Sequence, residues 1–96
     1  MSYRIVWRKE VFSAVQSWHL PDNVLVELHL RVNALSDEPA NQLIRLREPF
    51  DGMVFAFALI DPTNRLCEHL FAFKILYSQD EESLHVVRGQ YLRRFV

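Results

Sequence analysis

Three long apolar runs separated by short polar turns occupy residues 53–91, and they limit the folds open to this chain more than any other feature. The first is Met53-Val54-Phe55-Ala56-Phe57-Ala58-Leu59-Ile60, closed by the turn-like Asp61-Pro62-Thr63-Asn64. The second is His69-Leu70-Phe71-Ala72-Phe73-Lys74-Ile75-Leu76-Tyr77. A polar turn, Gln79-Asp80-Glu81-Glu82-Ser83, leads to the third, Leu84-His85-Val86-Val87-Arg88. β-Forming runs of this length joined by short turns predict a three-stranded antiparallel meander. The middle run is apolar almost throughout, which predicts a central strand with both faces largely covered. A period of two sends Phe71, Phe73, Ile75 and Tyr77 to one face and Leu70, Ala72, Lys74 and Leu76 to the other. The first set is bulky enough to receive helices. The second is thinner and carries a single cation, Lys74.

Upstream, Tyr3-Arg4-Ile5-Val6-Trp7-Arg8 alternates closely enough to predict a short edge strand. The spacing then changes. Val11, Ala14, Val15 and Trp18 fall at i, i+3, i+4 and i+7, one face of a two-turn helix. His19-Leu20-Pro21-Asp22 ends it, since proline disfavours a helical residue before it and suits a new helix start. Residues 24–35 fit two templates. Val26, Leu28, Leu30 and Val32 alternate as in a strand, whereas Pro21, Leu25, Leu28, Val32 and Leu35 form a helical stripe. About three turns is long for a strand, and Asp22 would favour the helix dipole, so a helix is predicted, with Val24 and Leu30 widening its stripe. Ser36-Asp37-Glu38-Pro39 stops it. Asn41 to Asp51 reads as a connector with Leu43 and Leu46 as anchors, and Asp51-Gly52 turns into the meander.

A chain of 96 residues makes one domain, 1–96, and buries about 60–65% of its unfolded surface. Its 50% apolar content supports a core and argues against disorder. The single Cys67 excludes an internal disulfide and a cysteine-rich zinc site. No basic-then-apolar leader opens the sequence and no apolar run reaches the ~18 residues of a membrane span, so a cytoplasmic protein with no membrane partner is expected. The net charge of −1 lacks the basic excess usual in nucleic-acid binders. Nine of the eleven cations are arginine, which suits bidentate contacts to phosphate or carboxylate.

The order β-α-α-β-β-β with these lengths resembles the RelE/ParE family of bacterial toxins from toxin–antitoxin modules. Tyr3-Arg4-Ile5-Val6 matches that family's opening strand, and Leu43, Leu46 and Gly52 match its connector. Lys74-Ile75-Leu76-Tyr77 stands where the family has Arg-x-x-Tyr, and Arg88-Gly89-Gln90-Tyr91 stands at its C-terminal Arg/Tyr position. The resemblance implies an α+β fold: a four-stranded, mostly antiparallel sheet with a helical hairpin on one face. It implies a toxin that cleaves ribosome-bound mRNA, an endoribonuclease held silent by an antitoxin protein. The chain departs from the family in its near-neutral charge, in Lys74 for arginine, and in the extended apolar first hairpin.

Cleavage of RNA needs a base for the 2′-hydroxyl, cations for charge developing on phosphorus, and an acid for the leaving oxygen. In that reading Lys74 and Arg88 supply charge, and Tyr91 or His85 handles protons, His titrating near neutrality. Lys74, Arg88 and Tyr91 are the expected catalytic set, in one shallow groove, with Gly89 re-aiming the Tyr91 ring. Arg45, Arg47, Arg93 and Arg94 are the expected RNA contacts. Each residue also has a plainer reading: Lys74 as a rim cation, Arg88 as a strand-end ion-pair former, Tyr91 as a core aromatic, His69 as polar surface in a turn. The histidines show no metal-ligand spacing, His19 and His29 standing ten apart and His69 and His85 on different strands, so no metal and no cofactor are expected.

Apolar sheet surface left uncovered by two helices predicts a protein partner or a homo-oligomer, unless Leu92, Phe95 and Val96 fold back over it. Two functional classes therefore stand: the ribonuclease toxin, favoured by the Lys74/Arg88/Tyr91 set, and a non-catalytic protein-binding module on the same scaffold, favoured by the near-neutral charge.

Overall fold

The structure, a computed structural model, describes residues 3–37, 53–78 and 81–95 together with the backbone of 44–45. In chain order the elements are β1 (Arg4–Trp7), α1 (Lys9–Ser17), α2 (Asp22–Asn33) with a 3-10 turn Ala34–Ser36, β2 (Ile44–Arg45), β3 (Met53–Ile60), β4 (Cys67–Ser78) and β5 (Ser83–Phe95). The fold is α+β. The strands form one sheet in the order β1-β5-β4-β3-β2. β3, β4 and β5 are the antiparallel meander, β4 is central, and β1 runs parallel to β5 at one edge. The sheet is thus mixed, and β2, a two-residue pairing of Ile44 and Arg45 with Val54 and Met53, adds a fifth strand to the four expected. Most of the connector, including Leu43, Leu46, Arg47 and Gly52, lies outside the described residues.

The helices form where the 3.6-residue period predicts them. In α1, Val11 and Val15 are buried. Trp18 caps it and His19 follows with φ 50°, the left-handed conformation that commonly closes a helix. Pro21, with its ring holding φ at −56°, starts α2. Along α2 the buried stripe is Val24, Leu28 and Val32, continued by Leu35 in the 3-10 turn. The segment that alternated as a strand is therefore helical. Leu30 does not widen the stripe: it is 60% exposed on the outer side.

Both helices cover one face of the sheet. Their buried side chains pack on Phe55 and Leu59 of β3, Phe71, Phe73 and Ile75 of β4, and Leu84 and Val86 of β5. Phe73 and Ile75 are fully buried, and each such side chain contributes about 1.5–3 kcal/mol of hydrophobic stabilisation. Among the described residues no helix covers the other face, built from Ala56 and Ala58, Leu70, Ala72 and Lys74, and Arg88, Gln90 and Leu92. Leu92 and Phe95 do not fold back over it, and Val96 lies outside the described residues. β5 stays paired with β4 out to Phe95, and Leu92 is 62% exposed.

A bulge sets which β5 side chains meet the helices. Lys74 pairs with Arg88 and Ile75 pairs with Val86, so Val87 is an extra residue with no partner. Before it, Leu84 and Val86 face the core. After it the odd residues do, and Arg88 turns to the open face. Among the described residues, no helix is long and apolar enough to cross a membrane.

Candidate functional site

Chemistry-bearing side chains gather in two places, one on each face of the sheet. The buried group grows out of the β3–β4 hairpin. Asp61 follows β3, and its N–H donates to the Cys67 carbonyl at 2.9 Å. Its Oδ1 accepts from the Thr63 N–H at 2.9 Å, the Thr63 hydroxyl at 2.8 Å and the Asn64 N–H at 3.2 Å. An aspartate that binds backbone two and three residues on is what makes Asp-Pro-Thr-Asn a turn. Oδ2 is left to point inward, 2.9 Å from Nε2 of His69. The other ring nitrogen of His69, Nδ1, lies 2.6 Å from the Tyr91 hydroxyl.

These bonds orient one another. The His69 hydrogen bond, followed by those from Thr63, holds the Asp61 carboxyl well below the usual carboxylate range. An ionised carboxylate only accepts, so Nε2 donates to it. In the neutral ring Nδ1 is then the acceptor, and the Tyr91 hydroxyl donates to it. Burial raises the Tyr91 hydroxyl above its ordinary pKa, which keeps it protonated for that role. The Tyr91 ring stacks on Phe71 at 5.3 Å and leans on Trp18 at 5.4 Å, so its position is fixed by the core. His69 is 2% exposed and is not the polar turn residue expected from its place after Glu68.

The second group is on the open face. Lys74 and Arg88 stand opposite each other across β4 and β5, and neither forms an ion pair among the described residues. A shallow depression beside them is lined by Val54, Ala72 and Gln90. His85, opposite Leu76, lies on the same face. Its Nε2 is 3.0 Å from the Ser83 hydroxyl and 3.4 Å from Glu81, while Nδ1 is buried with no partner.

No protein-family model, curated protein or solved structure matches this chain.

Of the expected catalytic set, the structure brings Lys74 and Arg88 together and separates Tyr91 from them. Tyr91 pairs with Phe71 on the helix-covered face, so the three do not share a groove. Gly89 does not re-aim the Tyr91 ring. It lies opposite Phe73, and a Cβ there would fall 2.9 Å from Phe73 Cε1 and 3.1 Å from Trp18 Cη2. Of the expected RNA contacts, the two whose side chains are described, Arg93 and Arg94, lie on opposite faces of β5. Arg94 pairs with Glu68 at 2.7 Å, Arg93 lies over the Phe95 ring at 5.4 Å, and Arg47 and the Arg45 side chain lie outside the described residues.

Sequence reasoning missed the buried group. It searched for histidine pairs and helical i, i+4 spacing. Here the donors come from a hairpin closure, Asp61-x5-Cys67-x-His69, whose carboxylate, thiol and imidazole donor atoms all lie within 4.8 Å of one another. The one available signal was parity: Cys67 and His69 share the alternation of Phe71 and Phe73, the set assigned to the helices.

Proposed function

We propose that the chain is a non-catalytic protein-binding module on a RelE/ParE-like scaffold, acting through the face of the sheet opposite its two helices. The single observation that carries this reading is the division of the expected trio. Lys74 and Arg88 form a cationic pair on the open face, while Tyr91, the proton carrier they would need, is committed to His69 on the other. Charge without a matched acid and base recognises a ligand but does not cleave one. The surroundings of the pair are apolar and small, with Ala56, Ala72, Leu70 and Leu92 on flanking positions. Such a surface suits an extended or helical segment of a partner that lays apolar side chains along it and sets carboxylates against Lys74 and Arg88. An antitoxin-like protein has that character, and the near-neutral charge of the chain fits a protein partner better than RNA.

The ribonuclease toxin is the second reading, favoured by one observation. His85 shares the open face with Lys74 and Arg88 and so supplies a titratable group that Tyr91 does not.

Co-expression with the product of the neighbouring reading frame separates the two. The proposal expects a stable complex that Lys74→Glu with Arg88→Glu abolishes, and no cleavage of mRNA on translating ribosomes. Ribosome-dependent cleavage lost in Arg88→Ala and in His85→Ala would replace it with the ribonuclease. A complex that survives the double charge reversal would remove the open face as its binding surface.

A further inference from the structure

Asp61, Cys67 and His69 are buried to 8%, 3% and 2% residual exposure, and each presents a different donor atom to the same point. Tetrahedral zinc holds oxygen, nitrogen and sulfur ligands at about 2.0–2.3 Å, which spaces neighbouring ligands roughly 3.3–3.8 Å apart. Donor atoms already within 4.8 Å of one another need to move by only about an ångström to reach that geometry. The backbone places them without distortion. Cys67 and His69, two apart on β4, point to one face, and the Asp61 N–H bond to the Cys67 carbonyl fixes the carboxylate beside them.

We propose that Asp61 Oδ2, Cys67 Sγ and His69 Nε2 form a binding site for a divalent zinc-like cation, with Tyr91 holding the imidazole from its far side.

Four features beyond proximity support this site. Asp61 Oδ1 is saturated by three hydrogen bonds from the turn, so Oδ2 is the oxygen free to ligate, and it is the one aimed at His69. The charges match, since a carboxylate and a thiolate balance a dication, and no lysine or arginine pairs with Asp61 among the described residues. A mixed sulfur, nitrogen and oxygen set suits zinc over magnesium or calcium. The fourth feature is the outer partner. A metal-ligating histidine almost always bonds something through its other ring nitrogen, and Nδ1 of His69 is 2.6 Å from the Tyr91 hydroxyl.

Binding rearranges protons without net redox change. The Cys67 thiol releases its proton to solvent as the sulfur–metal bond forms. The His69 proton moves from Nε2 to Nδ1 as Nε2 bonds the metal, and the Tyr91 oxygen turns from donor to acceptor. Three protein ligands leave a fourth position for water or a partner's side chain.

The sequence holds one cysteine, so a sulfur-to-metal signal reports on Cys67 alone. The test strips the full chain with a chelator and titrates it with Co2+ and then Zn2+. The expected result is uptake of one equivalent of Co2+ with thiolate-to-cobalt charge-transfer absorption and the strong visible bands of four-coordinate cobalt, both bleached by Zn2+. One equivalent of Zn2+ releases the thiol proton into weakly buffered solution. Cys67→Ser loses the charge-transfer band and binds zinc roughly 100-fold more weakly or worse, and Tyr91→Phe keeps the band with affinity reduced about 10–100-fold. Co2+ that binds the wild-type chain without charge transfer, or no stoichiometric uptake of either metal, overturns the proposal even if Cys67→Ser fails to fold. Unchanged zinc affinity in a folded Cys67→Ser variant does the same.

Discussion

Lys74 and Arg88 face each other on β4 and β5 at the ladder position beside the extra residue Val87. Like charges directly opposite in an antiparallel pair are destabilising, so this pair is held at a cost to the fold. Lys74→Glu turns it into an attraction. The expected outcome is a gain of about 0.2–1 kcal/mol in urea unfolding, together with loss of binding to an acidic partner. Stability and binding moving in opposite directions marks the pair as serving a ligand, and a variant that loses both does not.

Val87 decides the facing of everything after it. Deleting it removes the bulge and leaves simple alternation, with Val86 and Tyr91 still toward the core and Arg88 still toward the open face, whereas a ladder that paired Val87 without the bulge would slip by one residue and reverse every later side chain. Cooperative unfolding is expected to survive the deletion, followed by circular dichroism and by tryptophan fluorescence of Trp18. A deletion variant that loses cooperative unfolding contradicts this account of the bulge.

Gly89 is required for space. An added Cβ meets Phe73 at 2.9 Å and Trp18 at 3.1 Å, and Phe73 is fully buried. Gly89→Ala is expected to lower stability by about 1–3 kcal/mol, the usual effect of overpacking. Pairing it with Phe73→Leu, which empties part of that space, recovers some of the loss relative to the sum of the two single changes.

The Asp61 carboxyl gives stability a defined pH dependence in chelator-treated protein. Its pKa in the fold is depressed, mainly by His69 and then by Thr63. In the unfolded chain it titrates near ~3.9. A depressed value means the unfolded state binds the proton more readily. The contribution is therefore fully present above the unfolded pKa and is lost as pH falls toward the folded value. Asp61→Asn is expected to be less stable than wild type at neutral pH, with the gap closing on acidification below pH ~4. A gap that widens there excludes the ionised carboxylate as its source.

His19 occupies the left-handed region at φ 50°. β-Branched residues strongly disfavour that region and glycine does not. His19→Gly is expected to leave stability unchanged or raise it by up to ~1 kcal/mol, and His19→Val to lower it, both read from urea midpoints.

The meander was legible because its cause is local. Alternation and turn chemistry within residues 53–78 predict β3 and β4 nearly residue for residue, and the Val11–Trp18 spacing predicts α1. The α2 segment carried both periods, and only packing against the sheet chose between them, burying Val24 and Val32 and leaving Val26 and Leu30 outside. β5 runs to Phe95 where the apolar run stops at Val87, since its later residues pair on one side and meet solvent on the other. The site was less legible for a related reason. Alternation read from Leu84 cannot see a bulge that the partner strand imposes, so Arg88 reaches the side of Lys74, and Tyr91 the opposite side, through a register change that no local pattern records. Asp61 and Tyr91 meet at His69 only because three separate strands bring them there.

The parallel pairing of β1 with β5 has a kinetic consequence. Arg4–Trp7 is synthesised well before its ladder partners, Ser83 to Val86. Until they arrive, β1 has no backbone partner in this sheet, and Trp7 lacks the Phe73 ring it meets edge-on at 5.8 Å. Contacts so distant along the chain close slowly. The meander of β3, β4 and β5 has the short connections and is placed to form first, with β1 zipping onto its finished edge last. During that interval β5 exposes an unpaired edge to any other strand nearby, including β1 of a second nascent copy.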